Sequence, residues 1–492
     1  MSKKIIYLLS LLMALSLVFA SCKKNSTNPL GGGVQDENTP VHNEDGVAGG
    51  GLYDNFDKIP TTEPITKDPI LKYSGDRGYR NPVGVVMGAN SDHVLVFTEL
   101  RYAATTADND IGVDGKTAAD IYLTVSANSG TKDTFVPYGI IGRANGDQNP
   151  STADKSHAAP VIFKVNNTTV VVVASGGVGI SRVGTAYAQR DIKSAIDYCV
   201  ITLKEGSETS AATITSTDWQ ELKADNKSIS AIIDELSKSG TWKDAIGQDY
   251  GQFGTHAARG FVTSGGNMVL PVVVANQGTS SSTTEYMGNL ILVGTGGQNP
   301  TWTVKSYTTF SREGSKNVSQ QKESRVIGNN NSQYQYIAVP NGQSDHKLSL
   351  GDAKDQAKTE NEKPNTKSVF TAYDGSLGYL TLNWHGANEY KPNEYQATGG
   401  TEKSLLMHVS QLEYNPTIYL VQKGTINIDA GAKSTGWAVI DGGGAGKGSS
   451  IDVLGDGTVI TVAEEKAPSG ARKFDIVYSR YSQGYLNSKL VN

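Results

Sequence analysis

Val94-Leu95-Val96-Phe97-Thr98-Glu99-Leu100-Arg101 and Asp120-Ile121-Tyr122-Leu123-Thr124-Val125-Ser126 are short runs rich in β-branched and aromatic residues, separated by an acidic segment holding Asp108, Asp110 and Asp114. Runs of that length and composition read as strands. Working outward, similar ones recur at Gly84-Val85-Val86-Met87, Val161-Ile162-Phe163, Val170-Val171-Val172-Val173, Met268-Val269-Leu270-Pro271-Val272-Val273, Leu290-Ile291-Leu292-Val293, Ile337-Ala338-Val339, Ile418-Tyr419-Leu420, Val459-Ile460-Thr461-Val462 and Ile476-Val477-Tyr478. Turn chemistry separates many of them, as in Thr263-Ser264-Gly265-Gly266-Asn267 and Leu454-Gly455-Asp456-Gly457-Thr458. With 55 glycines against 16 prolines, the connections are expected to be tight turns. The pattern implies an all-β chain of repeated antiparallel hairpins, a propeller or stacked sandwiches.

Two segments break the rhythm. Ile229, Ile232, Ile233 and Leu236 stand at i, i+3, i+4 and i+7, which predicts a short surface helix inserted between strands. The run from Asp352 to Lys367 is charged and poor in apolar residues, and is expected to be an exposed loop between blades.

At the start of the chain, Lys3 and Lys4 precede an apolar run from Ile5 to Ala20 that ends in Ser21-Cys22. This has the plan of a secretory signal and is short for a membrane span. Small residues directly before a cysteine resemble the bacterial lipoprotein cleavage box, which makes Cys22 the expected lipidation site. From Lys23 to about Glu63 the chain is polar, with Gly31-Gly32-Gly33 and Gly49-Gly50-Gly51, the composition of a flexible tether. The expected organisation is a signal peptide over 1–21, a lipidated cysteine and tether over 22–65, and a folded domain over 66–492. Such a protein would be lipid-anchored in the cell envelope, at the outer membrane or cell surface.

Composition narrows the chemistry. Cys199 is the only other cysteine, so no intramolecular disulfide framework is expected, and its neighbours Tyr198 and Val200-Ile201 predict a buried strand position. The seven histidines show no paired metal-ligand spacing, so neither a metal nor another cofactor is expected. A net charge of −5 gives no footprint for nucleic acid. Gly442-Gly443-Gly444-Ala445-Gly446-Lys447-Gly448 has the look of a phosphate loop, but Gly448 follows Lys447 where Ser or Thr is needed, and a strand follows instead of a helix. It is read as a flexible loop at the rim.

Tyr79-Arg80-Asn81-Pro82 resembles the Arg-Ile-Pro signature of bacterial sialidases, with Asn81 in place of Ile. The two runs quoted first are similar to that family's second and third strands. Ser126-Ala127-Asn128-Ser129-Gly130 with Asp133-Thr134-Phe135, and Gly296-Gly297-Gln298-Asn299-Pro300-Thr301-Trp302, look like worn copies of the family's Asp-box turn. Gly448-Ser449-Ser450-Ile451, Leu454-Gly455-Asp456-Gly457-Thr458, Glu464 and Phe474-Asp475-Ile476-Val477-Tyr478-Ser479-Arg480 resemble its last blade. The likeness runs from about Tyr79 to Tyr485 and implies a sialidase-like six-bladed β-propeller with the helix as an insertion.

The resemblance also implies a site. A sialoside carries its carboxylate on the reacting carbon, so the family holds it with arginine forks. A tyrosine serves as nucleophile where a carboxylate would be repelled, an exception to the usual carboxylate pair. A glutamate partners the phenol, and an aspartate on a first-blade loop acts as acid and base. Carried over, Arg80 matches the first carboxylate-binding arginine and Glu464 the acid that orients it. Glu323, in Lys322-Glu323-Ser324-Arg325-Val326-Ile327, matches the tyrosine's partner. Asp114 is preferred as acid/base over Asp108 and Asp110 because its distance from the Asp120 strand suits best.

The second arginine is replaced by Val339 or Pro340, and no arginine occurs between Arg325 and Arg472, which leaves Lys403 as the nearest cation for the third. Gly448 stands where the tyrosine is expected. Arg80 thus has two readings, a ligand-binding arginine or one locked to Glu464 or Glu99 in a buried network. The expected function is a catalytically degenerate surface lipoprotein that binds a sialylated glycan or host surface protein, or serves as a surface antigen. The alternative is an active exo-α-sialidase in which Lys403 and a displaced Tyr390 or Tyr395 substitute.

Overall fold

The computed structural model describes residues 66–308 apart from 76, 89, 91, 103–117, 144–146, 178–193, 205–213, 239–249, 263–265 and 277–286. Between 320 and 449 it describes the backbone of strands, and from 450 to 491 strands with most of their side chains. The segment 1–65, with Cys22 and the expected signal and tether, lies outside the described residues, as do Asp108, Asp110, Asp114, Tyr390 and Tyr395.

The strands form six antiparallel-based sheets that follow one another along the chain, the blades of a propeller. The first is a plain meander of Arg77–Met87, His93–Tyr102, Ala119–Ser126 and Val136–Ile140. The second is built on His157–Lys164, Thr169–Gly177 and Ser194–Leu203, and the third on Met268–Asn276, Met287–Thr295 and Thr301–Thr308. The fourth runs Gln320–Asn329, Gln333–Asn341, Ser349–Asp352 and Lys367–Ser368. In the fifth, Lys403–Val409 and Pro416–Gln422 are central.

The sixth blade joins the first strand of the domain to three late ones, while the final strand, Leu490–Val491, pairs with Gly436–Val439 in the fifth. Ala445–Val453, Val459–Lys466 and Phe474–Tyr481 are completed by Thr66–Leu71, which pairs antiparallel with the last of them. The first strand of the domain therefore fastens the last blade.

The core lies in layers between neighbouring sheets. Along His93–Tyr102, Val94 and Val96 enter the layer shared with the sixth blade, while Leu95 and Phe97 enter the layer shared with the second. Along Thr169–Gly177, Val170 and Val172 face the first blade and Val171 and Val173 the third. A strand buried on both faces reads as a continuous apolar run, which is why these segments stand out in the sequence. Cys199 is one of these side chains and is fully buried.

The turn Ser126–Phe135 is closed by the Ser126 hydroxyl, which accepts from the backbone N–H of Asn128 (3.2 Å) and Gly130 (3.1 Å) and shares a 2.7 Å bond with Thr134. Gly130 sits at φ 62°, with the Tyr478 ring in the space a side chain would need. Phe135 then packs edge-on against Tyr478 of the sixth blade at 4.8 Å. Trp302, following the turn at Gly296–Thr301, packs the same way on Phe163 of the second blade at 6.0 Å. These turns thus join blades as well as strands.

The helix Ile229–Lys238 buries Ile229, Ile232 and Ile233, with Leu236 packed on the same layer between second and third blades. The Ser228 hydroxyl accepts the Ala231 N–H at its start.

Two expectations are corrected. The segment 353–366 does not join blades: its flanks pair as Ser349↔Ser368 and Leu350↔Lys367 inside the fourth sheet. Gly446, Lys447 and Gly448 belong to the inner strand of the sixth blade, not to a rim loop. Glycine composition suggested a loop there, but the strand tolerates it across a register irregularity between Ala445 and Ser449.

Candidate functional site

Inner strands start, and second strands finish, at the same end of the propeller. Most inner strands begin with an irregularity, at Arg80/Val83, Ala158/Val161, Gln321/Glu323 and Ala445/Ser449. In the first two blades it is an X-X-Pro-Val repeat, Arg80-Asn81-Pro82-Val83 and Ala158-Ala159-Pro160-Val161, with Asn81 at φ 51° and Ala159 at φ 53°. A β-branched Ile at that left-handed position would be strained, whereas Asn tolerates it.

In the first two blades the bulge frees a backbone N–H and the preceding blade supplies the acceptor, and Thr255 at the third blade is held in the same way. Glu464 Oε1 accepts Asn81 N–H at 2.7 Å, Glu99 Oε1 accepts Ala159 N–H at 2.6 Å, and Ser175 Oγ accepts Thr255 N–H at 2.7 Å. Two of these acceptors are buried carboxylates, and both hold an arginine. Arg80 donates through Nε to Glu464 Oε1 at 2.9 Å, and its guanidinium lies over the Phe474 ring, 4.8 Å from the centroid. Arg101 donates Nε to Glu99 Oε2 at 2.7 Å, and its Nη2 reaches the same oxygen. Asn81 joins the halves, its amide donating to Glu99 Oε1 at 2.8 Å. Glu464 and Glu99 are wholly buried, while the Arg80 side chain keeps 14% of its surface. The arrangement is two anchored guanidiniums across one bulge, the first of them reaching solvent.

A second network braces this end. Asp120, buried at the start of the third strand, accepts from Tyr102 Oη (2.7 Å), Arg143 Nη2 (2.8 Å), Ser151 Oγ (2.6 Å) and Ser151 N–H (3.0 Å). Burial first, and then the bond to Asp120, push the Tyr102 phenol far above its ordinary value. In the second blade His157 Nε2 bonds Asp197 at 2.9 Å and its ring stacks on Trp219 at 4.2 Å.

The inner edge of the first blade is also engaged. Ser450 Oγ accepts Gly84 N–H at 2.6 Å and Asp452 Oδ2 accepts Val86 N–H at 2.8 Å, joining the sixth blade to the first. Arg259, on a short strand parallel to His157–Lys164, approaches Asp452 to 3.9 Å. Donors that an inner strand would leave unpaired are thereby satisfied.

Among the sequence-derived candidates, the fold brings Arg80 and Glu464 into direct contact. Glu323 is the first residue paired after the irregularity of the fourth blade's inner strand, where Gln321 holds the place that Arg80 holds in the first blade, and it pairs in register with Val339. Gly448 lies within the corresponding irregularity of the sixth blade. Lys403 opens the second strand of the fifth blade, at the end away from the one where second strands carry Glu99 and Glu464. Arg101 and Asn81 belong to the strand and turn that resemble the family's first blade, while the sequence points to no role for Asp120 or Arg143. Glu99-Leu100-Arg101 carried the signal, since an i, i+2 acid and base share one face of a strand.

No protein-family model and no curated protein matches the sequence. Among solved structures the fold matches Trypanosoma rangeli sialidase in complex with the inhibitor DANA, with TM-score 0.55 and 13% identity over 86% of this chain and 60% of that one. The same enzyme with 2,3-difluorosialic acid, a covalent intermediate, matches with TM-score 0.55 and 12% identity over 86% and 59% of the two chains. Its complex with sialic acid gives TM-score 0.52 and 10% identity over 86% and 60%. This chain spans about three-fifths of the length of those sialidase chains. At such identity the likeness speaks for architecture alone: the chain is a six-bladed propeller with a sialidase-like fold.

Proposed function

We propose that this protein is a lipid-anchored cell-envelope propeller that binds sialylated glycans through Arg80 and does not hydrolyse them. The observation that carries the reading is the state of Arg80, fixed by Glu464 through Nε and by the Phe474 face while its side chain still reaches solvent. A guanidinium held from behind is pre-organised to take a carboxylate, and little rotamer entropy is lost on binding. The loss of hydrolysis rests on Gly448 at the position matching the family's tyrosine and on Val339 paired across from Glu323. Neither replacement can attack an anomeric carbon or grip an anion. The anchor rests on Lys3, Lys4, the apolar run and Cys22.

The test is titration of the purified full chain with methyl α-sialoside, beside a fluorogenic sialoside assay. Binding that falls at least tenfold in Arg80→Ala, with no release of sialic acid, is the expected result. Turnover by the wild type would select the sialidase reading instead, with Glu323, Asp114, Lys403 and a displaced tyrosine as its residues. Absence of binding would remove the glycan reading. Cys22→Ser is expected to abolish metabolic labelling with palmitate.

A further inference from the structure

The chain enters the propeller at a fixed point. Thr66–Leu71 pairs antiparallel with the third strand of the sixth blade, Thr66 opposite Arg480 and Leu71 opposite Ile476. That strand pairs in turn with the second, Arg480 opposite Ile460 and Ile476 opposite Glu464. Leu71 is therefore level with Glu464, while Thr66 is level with Ile460, four residues further along the blade, or roughly 13 Å at about 3.3 Å per residue. Glu464 holds Arg80, so the candidate site and the entry of the chain lie at opposite poles of the ring.

The entry strand is tied to two blades. Its pairing fixes it to the sixth, and Asp68 Oδ2 accepts the Asp133 N–H at 3.2 Å from the Ser126–Phe135 turn of the first. Past Leu71, the Tyr73 N–H donates to Asp475 Oδ1 at 2.8 Å. A terminal strand paired in a sheet and held by side chains resists fraying, so Thr66 is a firm point of attachment.

Cys22 precedes this entry by a polar segment whose composition is that of a tether. A lipid on Cys22 draws the entry pole toward the membrane. For the site pole to meet the same membrane, the tether would have to return along the outer wall of the ring, and the entropy it loses rises as it is stretched. Resting on the readings of Cys22 as lipid anchor and of Arg80 as sialoside anchor, we propose that the protein binds in trans. Its site faces away from the membrane that carries it, and its partner is a sialylated glycan displayed on an opposing surface.

Two residues mark the poles for a test. Lys132, in the Ser126–Phe135 turn, is exposed at the entry pole, and Lys155, just before the inner strand of the second blade, is exposed at the site pole. The acylated full chain is reconstituted in vesicles, with a donor dye on Lys132→Cys or Lys155→Cys and an acceptor dye on the lipid. Cys22 carries the lipid and Cys199 is fully buried, so the new cysteine alone takes the dye. Both variants should keep the wild-type Tm, a check that they fold. Energy transfer is expected to be at least twofold greater from Lys132→Cys. A second population of vesicles, carrying a sialylated glycolipid, should be captured by the wild type and not by Arg80→Ala. The same glycolipid placed in the protein's own membrane at equal density should leave that capture unchanged. Equal transfer from the two positions, or greater transfer from Lys155→Cys, would overturn the proposal, and so would loss of capture on adding the glycolipid to the protein's own membrane. Asymmetric transfer without capture would strike the Arg80 reading and leave the orientation standing. A chain that takes no acyl group at Cys22 would strike the anchor reading and this inference with it.

Discussion

Glu99 illustrates what a buried carboxylate does in this fold at the scale of one residue. It accepts from Asn81 Nδ2, Ala159 N–H and two nitrogens of Arg101, which fills its acceptor capacity. Glu99→Gln removes the charge and turns an NH2 toward donors, leaving Arg101 buried beside a neutral group. The expected loss is about 3–5 kcal/mol, read as a lower urea midpoint at unchanged slope. Cys199 makes a second residue-scale case. Burial drives its thiol above the ordinary 9.0, so the folded chain keeps a proton that the unfolded chain loses. Stability is then complete below the unfolded value and falls as pH rises past it. Unfolding free energy should drop between about pH 8 and about pH 10, and less steeply in Cys199→Ala. Sequence made Cys199 readable because its neighbours are apolar. It did not decide whether Arg80 pairs with Glu464 or Glu99, since the choice depends on which blade stands behind the bulge.

Among the elements, Thr66–Leu71 has the most to do for its length, because it is the outer strand of the sixth blade and is reached before any other strand of the domain. Deleting residues 1–71 exposes the edge of Phe474–Tyr481 and opens the ring, which should lower Tm by on the order of 5–10 °C and promote aggregation. Deleting only residues 1–63 should leave Tm unchanged, and differential scanning calorimetry separates the two outcomes. At Gly130, φ 62° and the Tyr478 ring exclude any side chain. Gly130→Ala is accordingly expected to cost on the order of 2 kcal/mol or more, visible in the same scans. Elements were legible where burial imposes a period: strands such as Thr169–Gly177 are apolar on both faces, and the helix at Ile229–Lys238 is apolar on one. They were illegible where pairing, not composition, decides. Asp352–Lys367 is charged whether its flanks pair within a blade or between blades, and Gly446–Gly448 has the composition of a loop while running along an inner edge.

At the scale of the molecule, the candidate site straddles the seam where the ring closes, with Arg80 coming from the first blade and Glu464 from the last. The Asp-box-like turns and the order of the strands announced a propeller, but nothing local in the sequence announces that residues 384 positions apart form one ion pair. Gly84 measures how close that seam is. A Cβ there would stand 2.9 Å from Val462 Cγ2 and 3.2 Å from Ser450 Oγ, both in the sixth blade. Val462 lies on the same strand as Glu464, two residues earlier, so pushing one away displaces the other. Gly84→Val is therefore expected to lower Tm and to weaken methyl α-sialoside binding several-fold, although Gly84 is not itself among the groups holding Arg80. Gly294→Ala supplies the comparison, since its Cβ would meet Trp302 at 2.8 Å within the third blade, remote from the seam. That variant should lose Tm and keep its affinity when both are titrated at a temperature where each is folded. A Gly84→Val protein that loses Tm yet binds as wild type would mean that the Arg80–Glu464 pair is set within the first blade and owes nothing to ring closure.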